Sequence, residues 1–516
     1  MQNRSILAAA VIAALCACTD GGNTDVGVIA CDKLLATNLD TTPTGPLTLS
    51  KSQLVAAAGA MPEYCRVEGT LNPVAGSSIK FATNIPTTNW NGRFLMLGNG
   101  GYAGGALANA GPDVAAGYAT AVTDTGHTTA NDATVFYNNR EVEIDYGYRA
   151  VHLTAQISKQ IIKRVGGKDP EYSYFNGCST GGRQALMSAQ RYPGDFDGII
   201  GGAPAHQLTG LAVEQNWSLR QFQQNNFAGN IFGKVTLLAN AVKAQCADTE
   251  GIISTPGTCN FDVASLQCAA GAADTTQCLT AAQVSAVKAV HGGPRSAIGV
   301  NWYPGKPVGS EASWAFWLVN DSTDPTKWSP AQGGFGFSFV GNLFFETDPV
   351  VSYKWTDFNF DFDPPKGQFM ANILNATNPD LSGFKGRKGK LLMYHGTGDG
   401  LIGYQPTVEY FQEVQARLGE SATDGFARLF LVPGMDHCDY FDRGGLQVAD
   451  WLGPLVNWVE KGIAPDSIPG RSRTTNPIAF TRPVCPWPKT ATYKGNGDRK
   501  DAANWSCQLA LPLAAG

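Results

Sequence analysis

Residues 172–191 read YSYFNGCSTGGRQALMSAQR. The first part, Tyr172 to Phe175, is a short aromatic run that favours a strand, and the last, Gly182 to Arg191, is rich in good helix formers. Between them lies Gly177-Cys178-Ser179-Thr180-Gly181, a G-x-S-x-G string. A serine on such a strand-to-helix turn projects its hydroxyl above the sheet edge, and glycines on either side let backbone and substrate approach closely. The string alone is weak, because 60 glycines among 516 residues generate chance matches of this kind in surface turns. Its meaning depends on whether the rest of a nucleophilic site is present.

A nucleophilic serine needs a histidine to take its proton and a carboxylate to fix that histidine's tautomer, and after a turn of this type they follow in the order Ser, Asp or Glu, His. The chain has six histidines. His127, His152 and His206 precede the serine or follow it too closely, and His291 lies in a His-Gly-Gly-Pro stretch with no strand ahead of it. His395 ends the apolar run Lys390 to Tyr394 and heads the turn Gly396-Thr397-Gly398-Asp399-Gly400, which puts Asp399 at a strand's carboxyl end. His437 follows another strand-like run, Ala427 to Val432, in the loop Pro433-Gly434-Met435-Asp436-His437. Ser179, Asp399 and His437 are therefore the expected nucleophile, acid and base; Asp436 and Asp424 compete for the acid, Asp436 lying too close in sequence to reach the far ring nitrogen easily. Cys178 precedes the serine and Cys438 follows the histidine. If serine and histidine meet, their neighbours fall within the Cα separation of about 4.4–6.8 Å that a disulfide requires; two buried free thiols are the alternative.

Around these residues the pattern alternates strand and helix, as in a parallel sheet. Arg93 to Leu97, Tyr118 to Thr123 and Gly198 to Ile200 read as strands; Gly147 to Val165, Pro406 to Leu418 and Leu446 to Val459 read as helices. More than 200 residues separate serine from acid, far more than a plain sheet needs, so an insertion occupies that gap. It starts after Pro204-Ala205-His206 and ends near Phe384. Its later half is crowded with Trp302, Trp314, Trp317, Phe335, Phe337, Phe339, Phe344 and Phe345, some of which must form the insertion's own core.

The chain resembles the tannase and feruloyl esterase family of α/β-hydrolases over nearly its whole mature length. The resemblance rests on Trp90-Asn91-Gly92-Arg93-Phe94, Gly98-Asn99-Gly100-Gly101-Tyr102, Thr123-Asp124-Thr125-Gly126-His127, Asp145 to His152, Asn176 to Gln184 and Gly201 to Ala205. Asp399 in HGTGDGLI, Asp436-His437-Cys438 and Thr481 to Pro486 complete it. It implies an α/β-hydrolase sheet in 19–206 and 385–516 with a large lid domain, 207–384, inserted between the nucleophile and acid strands. It also implies the pairing Cys31 with Cys65, Cys178 with Cys438, Cys246 with Cys259, Cys268 with Cys278, and Cys485 with Cys507. Relatives hold a structural calcium in an acidic lid loop between two linked cysteines. Here Cys246 to Ile253 keeps only Asp248 and Glu250, short of the roughly six to eight oxygens calcium favours, so no tight calcium and no required cofactor are expected.

Composition fits an exported enzyme. Met1 to Arg4 followed by the apolar Ser5 to Ala17 reads as a signal peptide, residues 1–18, too short to span a membrane. Leu15-Cys16-Ala17-Cys18 resembles a bacterial lipoprotein cleavage box with Cys18 as the lipidated residue; ordinary signal cleavage is the alternative. The chain is thus expected to be secreted or periplasmic, with outer-membrane attachment only through that lipid. Two of the 12 cysteines lie in the signal, leaving an even ten for an oxidising compartment. No C-x-x-C pair occurs, which argues against zinc. A net charge of −5 with no basic block argues against nucleic acid as a partner.

The expected chemistry is ester hydrolysis through an acyl-enzyme, with the N–H groups of Thr180 and of Gly101, or next Gly100, stabilising the oxyanion. Within the family the acyl group is galloyl, hydroxycinnamoyl or terephthaloyl. A free substrate carboxylate would call for a lid arginine, and the lid has only Arg220 and Arg295, neither in the aromatic stretch. Phenolic-acid esters are therefore expected over a terephthalate monoester. Acyl transfer to an alcohol, and a non-catalytic polyphenol- or carbohydrate-binding protein with a vestigial triad, are the rival readings.

Overall fold

The structure, a computed structural model, describes residues 28–509 except 106, 109, 130–132, 226–230, 273–275, 320–329 and 473–477. The expected signal peptide and Cys18 lie outside the described residues. Nine strands form the main sheet: β1 (Leu47–Val55), β2 (Tyr64–Leu71), β3 (Ile79–Pro86), β4 (Arg93–Leu97), β5 (Ala119–Thr123), β6 (Tyr172–Cys178), β7 (Gly198–Gly202), β8 (Lys390–Gly396) and β9 (Ala427–Val432). Their order is β1-β2-β3-β5-β4-β6-β7-β8-β9. The first three strands and β5 pair antiparallel, whereas β5 through β9 run parallel. This is the mixed sheet of an α/β-hydrolase, with β6 near its middle.

Parallel strands buried on both faces carry continuous apolar runs. Phe94, Met96, Phe175, Ile199, Leu391 and Met393 pack on one face, while the alternate residues Leu95, Tyr174, Ile200 and Leu392 pack on the other. The first face is covered by α1 (Ala150–Gly166) and α2 (Thr180–Arg191). Along α1, Leu153, Ile157, Ile161 and Ile162 are buried at three-and-four spacing, each burial stabilising by about 1.5–3 kcal/mol. Ile157→Ala would cost roughly 2–5 kcal/mol through the cavity it leaves.

The helix expected from Gly147 begins instead with a π-helical turn, Asp145–Arg149. The widened turn leaves the carbonyls of Tyr146 and Gly147 to the fully buried Arg183 guanidinium, at 2.9 and 2.8 Å. The segment 207–384 lies between β7 and β8 and contains α3 (Leu208–Gln224), α4 (Ile231–Cys246), α5 (Ala281–Gly292), α6 (Glu311–Trp314) and α7 (Gly333–Asn342). It has its own core, in which Leu219, Leu238, Val287 and Trp314 meet. A second cluster joins it to the sheet's loops through Tyr102, Phe136 and Tyr146 packed with Leu211, Phe339 and Phe344.

Beyond β8 come α8 (Gln405–Leu418), β9, and a departure from the expected helix over 446–459. Leu446–Val448 is a strand, β10, in a three-stranded antiparallel sheet with β11 (Ile468–Ser472) and β12 (Thr481–Val484); helix α9 occupies only Leu452–Lys461. Leu446 and Val448 alternate inward with period two, and partners more than 20 residues away decided their state. Among the described residues five disulfides form, Cys31–Cys65, Cys178–Cys438, Cys246–Cys259, Cys268–Cys278 and Cys485–Cys507, which fit an extracellular, oxidising setting. Among the described residues no helix is long and apolar enough to cross a membrane.

Candidate active site

Every element of the site emerges from a carboxyl edge of the parallel strands, where such sheets gather their ligands. Ser179 stands between β6 and α2 with φ 65° and ψ −122°, a conformation that costs a non-glycine residue about 1–3 kcal/mol. The surroundings enforce it: its N–H donates to Gly202 O at 2.9 Å, and its carbonyl accepts from Arg183 N at 3.0 Å and Ala205 N at 3.1 Å. The motif's glycines serve close backbone contact. A Cβ on Gly177 would stand 2.6 Å from the Gly181 carbonyl, and one on Gly98 would stand 2.8 Å from Gly181 Cα.

Asp399 and His437 leave the ends of β8 and β9. His437 Nδ1 lies 2.6 Å from Asp399 Oδ2, and both side chains are buried. The other carboxylate oxygen, Oδ1, accepts the N–H groups of Leu401 and Ile402 at 2.9 and 2.8 Å. Burial alone would raise the Asp399 carboxyl, but the neighbouring His437 charge, with hydrogen bonds from His395 and His437, holds it below the usual carboxylate range. An ionised Asp399 accepts the Nδ1 proton and leaves Nε2 as the basic nitrogen.

The Cys178–Cys438 bridge, Cα to Cα 6.0 Å, ties the residue before Ser179 to the residue after His437. Both side chains open onto one cavity of about 870 Å³. Among the described residues no hydrogen bond joins the Ser179 hydroxyl to the ring, and Nε2 lies 3.6 Å from Cys438 Sγ. In ligand-free enzymes such contacts are often long and tighten in the substrate complex. Trp317 stands edge-on to the His437 ring, 5.6 Å between centroids.

The glycine-rich turn after β4 forms the next wall. Gly98 to Gly101 border the same cavity, and Gly101 O accepts from Thr180 Oγ1 at 2.6 Å and Tyr146 Oη at 3.1 Å. Among the described residues the N–H groups of Gly100, Gly101 and Thr180 have no protein acceptor, so they remain available to an oxyanion. On the Thr180 side lies a smaller apolar hollow, bounded by Leu211, Phe335, Phe339 and Leu401, with Gln215 at its margin.

The remaining expected residues divide clearly. Of the insertion's aromatics, Trp317, Phe335 and Phe339 face these spaces, while Trp302, Trp314, Phe337, Phe344 and Phe345 pack in the apolar cores of the insertion and its junction with the sheet's loops. Phe316 and Phe441 also border the cavity; neither was singled out in the sequence. Arg220 donates to Phe358 O and Arg295 to Gly292 O, so neither faces the cavity. Asp436 turns one oxygen toward the His437 backbone N–H at 2.7 Å. Asp424 lies exposed at the opposite end of β9. His395 is buried beside the acid, Nε2 3.0 Å from Ile402 O and 3.4 Å from Asp399 Oδ2. Asp248 and Glu250 are taken up by Arg482 at 2.7 and 2.8 Å, and Arg499 adds a second guanidinium to Glu250 at 3.0 Å.

A mixed sheet with a serine on the sharp turn after its central parallel strand, and a buried Asp–His pair leaving the ends of β8 and β9, defines an α/β-hydrolase of the carboxylic ester hydrolase class. Sequence comparison gives the narrower assignment. The profile of the tannase and feruloyl esterase family matches residues 65–508, and the chain belongs to that family. It is 32% identical to an uncharacterized esterase of Xanthomonas campestris pv. campestris, covering 93% of this chain and 91% of that one. It is also 32% identical to the mono(2-hydroxyethyl) terephthalate hydrolase of Piscinibacter sakaiensis, covering 88% and 86%. The crystal structure of feruloyl esterase B from Aspergillus oryzae superposes with a TM-score of 0.79 at 27% identity, covering 93% of this chain and 99% of that one.

Proposed function

We propose that this esterase hydrolyses esters of phenolic aromatic acids, such as feruloyl or galloyl esters, through an acyl-enzyme on Ser179. The observation that carries the reading is one cavity in which Ser179 and the Asp399-paired His437 stand among aromatic walls. His437 Nε2 takes the Ser179 proton as Oγ attacks the ester carbonyl, and Asp399 stabilises the imidazolium that forms. The N–H of Thr180 and that of Gly101, with Gly100 the alternative, stabilise the oxyanion; removing one such donor costs about 3 kcal/mol of transition-state stabilisation. His437 then protonates the leaving alcohol. Water, activated by the same ring, releases the acid and restores the serine.

The second reading is a terephthalate monoester, favoured by the 32% identity to the Piscinibacter sakaiensis hydrolase. Against it, no Lys or Arg is among the described residues bordering the cavity, whereas a substrate carboxylate is best held by a guanidinium. Catalytic efficiency on methyl ferulate, methyl gallate and mono(2-hydroxyethyl) terephthalate decides between them: the reading fails if the terephthalate monoester is preferred. Serine labelling by a fluorophosphonate separates an enzyme from a binding protein with a vestigial site, and competing alcohols during turnover expose acyl transfer. No cofactor is required in this scheme, the lid loop being held by arginines in place of calcium. Export is part of the same reading, with either a lipid on Cys18 or ordinary signal cleavage; fatty-acid labelling that is lost in Cys18→Ala distinguishes the two.

A further inference from the structure

One lid hydroxyl touches the acid loop and the base loop at once. Ser313, on α6, is buried, and its Oγ accepts the backbone N–H of Gly400 at 3.2 Å while donating to Asp436 Oδ1 at 2.5 Å. The same carboxylate oxygen accepts the N–H of His437 at 2.7 Å. Gly400 directly follows Asp399 and Asp436 directly precedes His437, so one lid side chain joins the neighbours of both residues of the Asp–His pair. Asp436 makes no bond to the imidazole itself, and its outer oxygen lies 3.7 Å from Arg443 Nε.

Two independent contacts show that this junction is built for close approach. A Cβ on Gly400 would stand 2.8 Å from Ser313 Cβ and 2.9 Å from Trp314 Cδ1, so only glycine lets α6 seat here. One residue further on, Leu401 O lies 3.4 Å from the buried Lys306 ammonium, itself paired with Glu214 at 3.2 Å. Lys306 and Glu214 both belong to the lid, so it grips the acid loop at two successive residues.

We propose that Ser313 is a positioning residue which makes the alignment of Asp399 with His437 conditional on a seated lid. The lid is then part of the catalytic apparatus as well as the wall of the substrate cavity: without the Ser313 contact the acid and base loops keep their direct bonds, Gly398 N–H to Met435 O at 3.1 Å and Gly434 N–H to Thr397 Oγ1 at 2.8 Å, but lose the one that fixes the residues flanking Asp399 and His437. The proposal rests on the reading of Ser179, Asp399 and His437 as the triad.

The test compares Ser313→Ala, Asp436→Ala and the double variant on methyl ferulate and on p-nitrophenyl acetate, an ester too small to depend on the aromatic walls. Ser313→Ala should lower kcat about tenfold on both esters, the loss expected of one hydrogen bond to a charged group, with KM changed less than twofold. The double variant should be no worse than the weaker single one, because both substitutions break the same chain of bonds. Gly400→Ala keeps the hydroxyl but pushes α6 away, and should show the same kcat signature if Ser313→Ala proves too unstable to assay. A Ser313→Ala enzyme with raised KM for the ferulate and full kcat on the acetate would reduce the residue to a shaper of the pocket and overturn the proposal, as would additive losses. Fluorophosphonate labelling of the unmodified enzyme separates the two readings: without labelling at Ser179 the triad itself fails, whereas normal labelling with a fully active Ser313→Ala sinks only the coupling.

Discussion

Replacing Cys178 and Cys438 together by serine tests how the site is held. The bridge spans 260 residues, and the chain-entropy relation gives about 5–6 kcal/mol for closing a ring of that size in the unfolded state. The two bridges inside the ring take out only 13 and 10 residues, which changes the figure by about 0.1 kcal/mol because the dependence is logarithmic. A chain of this length unfolds with an entropy of about 1 kcal/mol/K, so melting should fall by about 5 °C, less where the unbridged chain keeps residual structure. Activity should fall on separate grounds. Ser179, Cys438 and Asp439 all hold positive φ, at 65°, 50° and 61°, and the bridge joins the two turns that carry them. A displacement of about 1 Å between hydroxyl and ring costs about a hundredfold in rate. Calorimetry and turnover on methyl ferulate, run on the double-serine variant, read the two effects apart. Full turnover with lowered melting would refute the claim that the bridge orients the site, and unchanged melting would refute the ring-closure argument.

Further outcomes follow from the same geometry. Ser179→Ala should abolish ester hydrolysis while leaving the melting curve in place; retained turnover would remove the serine from the mechanism. Asp399→Asn should lower kcat by about three to four orders of magnitude through the wrong His437 tautomer, measured at saturating substrate. Asp124 is buried, with one oxygen accepting the N–H groups of Gly126 and Lys80 and the other without a partner among the described residues, and burial pushes its carboxyl up to about 7. Because that lies above the unfolded value of about 3.9, its stabilisation is full below about pH 4 and is lost as pH rises through about 7. Asp124→Asn should therefore shrink the difference in melting temperature between pH 5 and pH 8, and an unchanged difference would contradict the assignment. Arg482→Met should cost about 3 kcal/mol by leaving Asp248 without its guanidinium and Glu250 with Arg499 alone, read by calorimetry, while chelators should leave the melting of the unmodified protein where it is.

Much of the site was legible because its residues sit where short strands meet turns. Ser179, Asp399 and His437 each follow an apolar run, and the runs that became β4, β8 and β9 could be read as strands from their residues alone. What escaped the sequence depends on distant partners. Residues 446–448 carry a pattern that suits a helix as well as a strand, and pairing with β11 decides. The π turn at Asp145–Arg149 exists to serve Arg183, 34 or more residues downstream, and no local signal announces it. The antiparallel strands β1 to β3 lie outside the serine, acid and base pattern and were not read. Ser313 is an unremarkable serine between Ala312 and Trp314 until folding sets it against loops 87 and 123 residues further along the chain. The aromatic excess of the lid was visible, but which rings face the cavity is settled by α6, α7 and their neighbours together.

The connectivity of the sulfurs has a consequence for making the protein. Four of the five bridges join cysteines that are neighbours in chain order, and Cys178–Cys438 alone passes over four others. Oxidation in the order of synthesis would couple Cys178 to Cys246 and leave the sulfur beside Ser179 with the wrong partner. Expression in a host that oxidises quickly but lacks a disulfide isomerase should therefore yield less active enzyme than expression with one, and equal yields would show that the chain folds before its thiols pair.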